Sequence, residues 1–389
     1  MTSAYQLLIC CARIKGDAAF YATLDRLVLA FDHFGQWDEL VDLAELHGMA
    51  PLLYTHLRKI STPLPVTTKR QLQGLYLRHK RANQTRFEAL EQIISLLKQA
   101  QIPAVLLKGA VLAPLIYPEL ALRPMRDLDI LVPKHEANHA QQILHDAEYN
   151  ERVQNEAILA EHHHLPTIIQ ETDYLKISVE VHFGLKGGFL QPMVEKSFEQ
   201  FWRSAETFSI HGTPGPIANR LGNEEMLWHL YTHMLTEEMR AIRIVDLVQF
   251  SESFVAQIDW EHMRHDYPKV LNTLVLLHFV TPLSAELQQK IGLPLGKKPH
   301  GIDSMLSDWP PKLSLQNWQG QTLVNVLKGT LFPSEATLKL YYGLENNRSI
   351  VWYRAIQHPL RVVLWSIKQR FAWRSARPMP HGTIKVDRI

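Results

Sequence analysis

Between Asp127 and Val132 the chain reads Asp-Leu-Asp-Ile-Leu-Val, and few folds can accommodate that run. Side chains on a strand alternate faces with period 2, so Asp127 and Asp129 point one way while Leu128 and Ile130 point the other. The apolar residues require a core. The two carboxylates repel each other unless a cation lies between them or one is protonated. A core strand with the acidic pair at its end meets both demands. Such a pair suits Mg²⁺ or Mn²⁺, bound by one or two carboxylates together with the phosphates of a substrate. The plainer reading is a pair of strand-end acids facing Arg123 and Arg126, which an Asp-x-Asp alone does not exclude.

The surrounding sequence places this strand in a small sheet between helical regions. Leu24, Leu27, Val28, Ala30 and Phe31 recur at helical spacing, as do Trp37, Leu40, Val41, Leu43 and Ala44. Ser61-Thr62-Pro63-Leu64-Pro65 breaks the pattern, and a long helix is predicted from Thr67 to Ala100. The texture then changes. Short apolar runs predict strands at Ile102–Leu107, Leu165–Ile169, Leu175–Phe183 and Phe208–Ile210, with an amphipathic helix over Lys134–Glu148. From Asn223 onward the spacing is helical again. The fold class expected is α+β, a small mixed sheet with flanking helices. The expected divisions are a helical region at 1–100, an α/β core at 101–215, a helical domain at 216–345 and a basic aromatic segment at 346–389.

Composition narrows the setting. The 389 residues are 46% hydrophobic and 21% charged with a net charge of +2, an ordinary globular profile and no general polyanion binder. The two cysteines, Cys10 and Cys11, are neighbours, and a disulfide between neighbours is strained. A disulfide-stapled secreted protein and a four-cysteine zinc cluster are therefore excluded, and a reducing, cytoplasmic setting is expected. The N-terminal residues lack the basic, apolar and small-residue order of a signal peptide. No apolar run reaches the length of about 18 residues that a membrane-spanning helix needs.

Three features of the core suggest a common site. Lys108-Gly109 ends one predicted strand at a helix start, where a glycine lets backbone N–H groups approach phosphate closely. Asp127 and Asp129 form the second feature. Glu180, between Val179 and Val181, is the third. Ile177, Val179, Val181 and Phe183 should share the core face, which leaves Glu180 and His182 on the other face, available to the aspartates. His182 would then stand near a bound metal or make a structural hydrogen bond.

Leu106-Leu107-Lys108-Gly109, Tyr117-Pro118 and the run from Arg123 to Val132 together resemble an uncharacterised nucleotidyltransferase family of bacteria within the wider polymerase-beta-like superfamily. Val179 to Phe183 is similar to that family's third acidic strand. Leu43 to Pro51 and the segment from Leu227 to Asp246, with His233, are similar to its flanking parts. The resemblance spans roughly residues 35–250. It implies a nucleotidyltransferase-like sheet and a Mg-dependent transfer of a nucleoside monophosphate group from an NTP, such as ATP, to an acceptor. Asp127, Asp129 and Glu180 would be catalytic and hold the metal. Lys108, Gly109, Arg123 and Arg126 would contact the nucleotide phosphates. The acceptor implied is a small molecule, a sugar or a peptide. The chain departs from the superfamily pattern at Gly109-Ala110, where many members carry Gly-Gly or Gly-Ser, and in a longer gap from Gly109 to Asp127. An alternative is a catalytically inactive protein of the same fold that acts as a binding or assembly partner.

Two other features have separate readings. His162-His163-His164, and His229 with His233 at i and i+4, invite a zinc hydrolase. Leu230 follows His229 where a metalloprotease would carry glutamate, so helix packing and a polar loop are the simpler expectations. From Trp352 to Arg377 aromatic residues interleave with arginine and lysine and no acid occurs. A terminal helix docked by its aromatic face comes first, peripheral contact with an anionic inner membrane second, and nucleic acid last.

Overall fold

A computed structural model describes residues 4–32, 36–150, 163–185, 196–210, 216–236, 239–303, 305 and 329–364. Four helices lead the chain, α1 (Ala4–Cys10), α2 (Ala18–Asp32), α3 (Trp37–Leu46) and α4 (Ala50–Leu57). They are followed by the 34-residue α5 (Val66–Gln99), close to the predicted bounds. Leu72, Phe87, Leu90, Ile93 and Leu97 form the buried stripe of α5. That spacing of three and four residues is what drives an amphipathic helix onto a core.

The sheet has six strands in the order β3-β4-β2-β1-β6-β5. They are β1 (Val105–Leu106), β2 (Asp127–Leu131), β3 (Ile168–Glu171), β4 (Lys176–His182), β5 (Glu206–Ser209) and β6 (Ile217–Arg220). It is mixed: β2 runs parallel to β4, β1 runs parallel to β6, and the other neighbours are antiparallel. Strand β1 is shorter than the apolar run Ile102–Leu107 suggests. Pro103 has no N–H to give to a ladder, so pairing begins only after it. The sequence reading includes no strand at Ile217–Arg220, which is held by pairing to β1 and β5 rather than by an apolar run of its own.

Further helices cover the sheet and continue the chain. They are α6 (Lys108–Ile116), α7 (Ala137–Asp146), α8 (Phe198–Arg203), α9 (Asn223–Thr236), α10 (Ala241–Ser253), α11 (Trp260–Asp266), α12 (Pro268–Leu277), α13 (Ala285–Ile291) and α14 (Glu335–Tyr342). A last helix, α15, spans 351–364. One continuous apolar cluster runs from Ala4 to Leu340, so helices and sheet share a core. Among the described residues no helix is long and apolar enough to cross a membrane.

The segment Leu43 to Pro51 joins the two ends of this core. His47 Nδ1 accepts the N–H of Ala241 at 3.2 Å, and the His47 carbonyl accepts the N–H of Ile242 at 3.3 Å. Gly48 has φ +68°, and a Cβ there would lie 3.2 Å from Ile242 Cγ2. Positive φ and close approach together require glycine at this turn.

Three buried histidines make stability depend on pH. Burial pushes His47 and His56 down to about 4. It pushes His229 down to about 3, helped by the nearby Lys108 charge. Each is neutral in the folded chain, while the unfolded chain takes up a proton near 6.5. Their contribution to stability is therefore complete above pH 6.5 and is lost as pH falls toward 4 and then 3. Urea midpoints measured across this range should fall, each histidine adding a slope of up to about 1.4 kcal/mol per pH unit. His56→Gln should flatten the curve between pH 6.5 and about 4, and an unchanged slope would refute the assignment.

Candidate functional site

Register brings the acids together. In the parallel β2–β4 pair Asp129 lies opposite Glu180, Asp127 opposite Ser178 and Leu131 opposite His182. Laterally paired residues in a sheet project to the same face, so Asp129 and Glu180 are side by side. Ile177, Val179 and Val181 are buried on the other side, as their alternation predicts. His182 completes the group: its Nε2 lies 2.8 Å from Asp129 Oδ1 and 3.4 Å from Glu180 Oε2. Thr167 donates from Oγ1 to Glu180 Oε1 at 3.2 Å. Among the described residues, Asp129, Glu180 and His182 form the one set whose ligand atoms converge within 4.8 Å as a metal ion would need.

Lys108 places a positive charge against this set. It is the first residue of α6, directly after β1, and holds φ +48°. Left-handed backbone at a non-glycine residue costs energy and is maintained by its surroundings. Here the Lys108 ammonium reaches Asp129 Oδ1 at 2.7 Å. Burial alone would raise the Asp129 pKa, but the Lys108 charge and the His182 hydrogen bond hold it well below the usual carboxylate range. Burial would lower His182, and its bonds to Asp129 and Glu180 raise it instead. The same bond from His182 lowers Glu180. Asp129 and Glu180 are thus ionised and gathered around positive charge from Lys108 and His182, and carboxylates so held fit a divalent metal in type and charge.

The group borders a cavity of about 210 Å³. The core contributes Lys108, Gly109, Met125, Arg126, Asp127 and Glu180 to its wall, and α3 with its following turn contributes Glu45 and Gly48. Arg240 and the start of α10, with Arg243, close the far side. Five lysines and arginines line it against the three acids Glu45, Asp127 and Glu180. That excess suits a polyanionic ligand. Gly109 is required by close packing, since a Cβ there would lie 2.7 Å from Met125 Cγ.

The two arginines ahead of β2 differ. Arg126 is exposed at the cavity. Arg123 is 7% exposed and bound to Asp246 of α10, Nε to Oδ1 at 2.8 Å and Nη2 to Oδ2 at 2.7 Å. The Tyr117 hydroxyl donates to the same carboxylate at 2.7 Å. Asn83 of α5 donates to the carbonyls of Leu120 and Arg123 at 2.6 and 2.9 Å. Arg123 thus fixes the loop that delivers Asp127, with Asn83 and Asp246 as anchors.

Sequence reasoning did not single out Asn83, Asp246, Glu45, Arg240 or Arg243. Glu45 is paired with Arg78 and accepts from His79 Nε2 at 2.9 Å. His229 and His233 stack with ring centroids 6.2 Å apart. The rings of His163 and His164 lie 5.6 and 5.2 Å from that of His182. His162 lies outside the described residues.

Comparison with known proteins supplies the family. A family model described as uncharacterised nucleotidyltransferase matches residues 35–287. No curated protein and no solved structure matches the chain. The match covers most of the chain, including Glu45, Lys108, both aspartates, Glu180 and Asp246, and the chain belongs to that uncharacterised nucleotidyltransferase family.

Proposed function

We propose that the protein transfers a nucleoside monophosphate group from an NTP to the hydroxyl of a small molecule, sugar or peptide. The observation that carries this reading is the pairing of Asp129 with Glu180 beside a cavity whose wall carries five lysines and arginines against three acids. Asp129, Glu180 and Asp127 would hold Mg²⁺ or Mn²⁺, with His182 orienting the carboxylates from Nε2. When bound, such an ion neutralises phosphate charge and activates an acceptor hydroxyl.

The chain's own residues do the rest. The Gly109 amide and Lys108 orient the phosphates at the start of α6. Arg126 offers a planar fork to phosphate oxygens, and Arg240 and Arg243 face the same space. Preorganised cations aimed at developing phosphate charge favour the transition state. Glu180 stands on the side of the attacking hydroxyl and stays ionised through its bond from His182. Arg123 acts indirectly, holding the β2 loop through Asp246.

Lys108 serves two ligands in turn. Without nucleotide its ammonium neutralises Asp129; with nucleotide it turns to phosphate. Lys108→Met should therefore bind Mn²⁺ alone more tightly than wild type. It should bind NTP with Mn²⁺ about tenfold more weakly, for loss of one phosphate cation. Calorimetric titration of each NTP with and without Mg²⁺ or Mn²⁺ tests the whole reading. Wild-type binding that requires the metal supports it. Absence of any NTP binding would sink it in favour of an inactive binding partner.

A further inference from the structure

Helix α15 is inside out. Its exposed positions are Val351, Trp352, Ala355, Ile356, Leu360, Val363 and Leu364, all of them apolar. The six large ones are 46% to 71% exposed. Its polar residues are less exposed: Tyr353, Arg354, Gln357 and Arg361 are half-buried. His358 is buried, with Nδ1 accepting from the Tyr342 hydroxyl at 3.0 Å and Nε2 donating to the Thr330 carbonyl at 2.9 Å. Arg361 lies 5.3 Å over the Tyr342 ring, and the Tyr353 ring packs 5.1 Å from that of Tyr342. The helix is fixed by its polar side and offers hydrocarbon to the outside. A helix bathed by water alone shows the reverse pattern.

Charge identifies what covers this face. Between Glu345 and Asp387 the chain has no acidic residue, while Arg348, Arg354, Arg361, Lys368, Arg370, Arg374, Arg377 and Lys385 fall in that stretch. A second copy seated on the face would bring like charges together. Nucleic acid would meet hydrocarbon where it needs cations. An anionic bilayer offers acyl chains to the apolar face and headgroup charge to the arginines, and tryptophan favours that boundary. We infer that α15 is an interfacial anchor that lays Trp352, Ile356 and Leu360 into an anionic lipid surface. The assignment is independent of the nucleotidyl-transfer reading.

Co-sedimentation of the full chain with vesicles tests it. One set is phosphatidylcholine, the other an equal mixture of phosphatidylcholine and phosphatidylglycerol. Wild type should pellet with the mixture and much less with phosphatidylcholine alone. Ile356→Glu/Leu360→Glu should lower binding to the mixture roughly tenfold or more. Its circular dichroism and thermal midpoint should stay at wild-type values, since both side chains are exposed. The inference is overturned if wild type pellets with neither vesicle or the variant binds like wild type. It is overturned equally if wild type fails to bind vesicles and forms a dimer that the variant does not.

Discussion

Asp127→Asn/Asp129→Asn is expected to abolish metal-dependent NTP binding, lowering affinity by about a hundredfold or more through loss of the metal's share of phosphate charge stabilisation. Asparagine keeps the shape and removes both charges, so the cavity keeps its size and loses its grip on a divalent ion. The single variants separate charge from packing. Asp127 is half-buried at the cavity wall and acts on the buried Arg86 charge, so Asp127→Asn should lower the thermal midpoint, but less than a change at Asp129. Asp129 is 2% exposed and pairs with Lys108 and His182. Asp129→Asn should therefore also lower the midpoint, because it leaves the Lys108 ammonium without its closest counter-charge. Wild-type affinity in the double variant would show that the metal, if bound, lies elsewhere.

The largest stability effect should come from a residue outside the acidic group. Asp246→Ala leaves Arg123 buried with no carboxylate, and removing one partner of a buried pair costs about 3–5 kcal/mol. The Arg123 side chain is 9% exposed and that of Asp246 2%, so water cannot take the carboxylate's place. Tyr117→Phe removes one hydrogen bond to the same group and should cost about 1 kcal/mol. Urea unfolding of the two variants gives both numbers. A loss below about 1 kcal/mol for Asp246→Ala would mean that the pair does not hold the loop.

These two groups were not equally legible in the sequence. The acids of β2 and β4 follow a local rule, alternation with period 2, so Asp127 could be placed with Asp129, and Glu180 opposite its apolar neighbours, from spacing alone, while the β2–β4 register is what brings them to one face. His182 shares that face for the same reason. The long α5 was readable because apolar residues recur at helical spacing over Leu72–Tyr76 and again over Phe87–Leu97 with no breaker between them. Asp246 was silent. It sits within Ala241–Ser253, most of which is buried, and nothing local says that its partner is Arg123. Arg240 and Arg243 were silent for a related reason: a helix-borne arginine is ordinarily solvated, and only tertiary packing turns these two toward the cavity. Strand β6 was missed because Ile217-Ala218-Asn219-Arg220 has no alternation strong enough to announce a strand. Its pairing with β1 is a contact between distant parts of the chain.

The His47–Ala241 clasp has a consequence for synthesis on the ribosome. The acids Asp127 and Glu180 emerge first, the cationic wall at Arg240 and Arg243 emerges late, and Asp246, the partner of Arg123, follows directly after it. A nascent chain that has exposed Asp127 and Glu180 still lacks the far side of the cavity, and His47 waits with an empty acceptor until α10 arrives. The pocket is thus complete only once α10 packs against the turn at His47. Any chain abandoned before α10 arrives carries the carboxylates without the Arg240 and Arg243 side of the cavity.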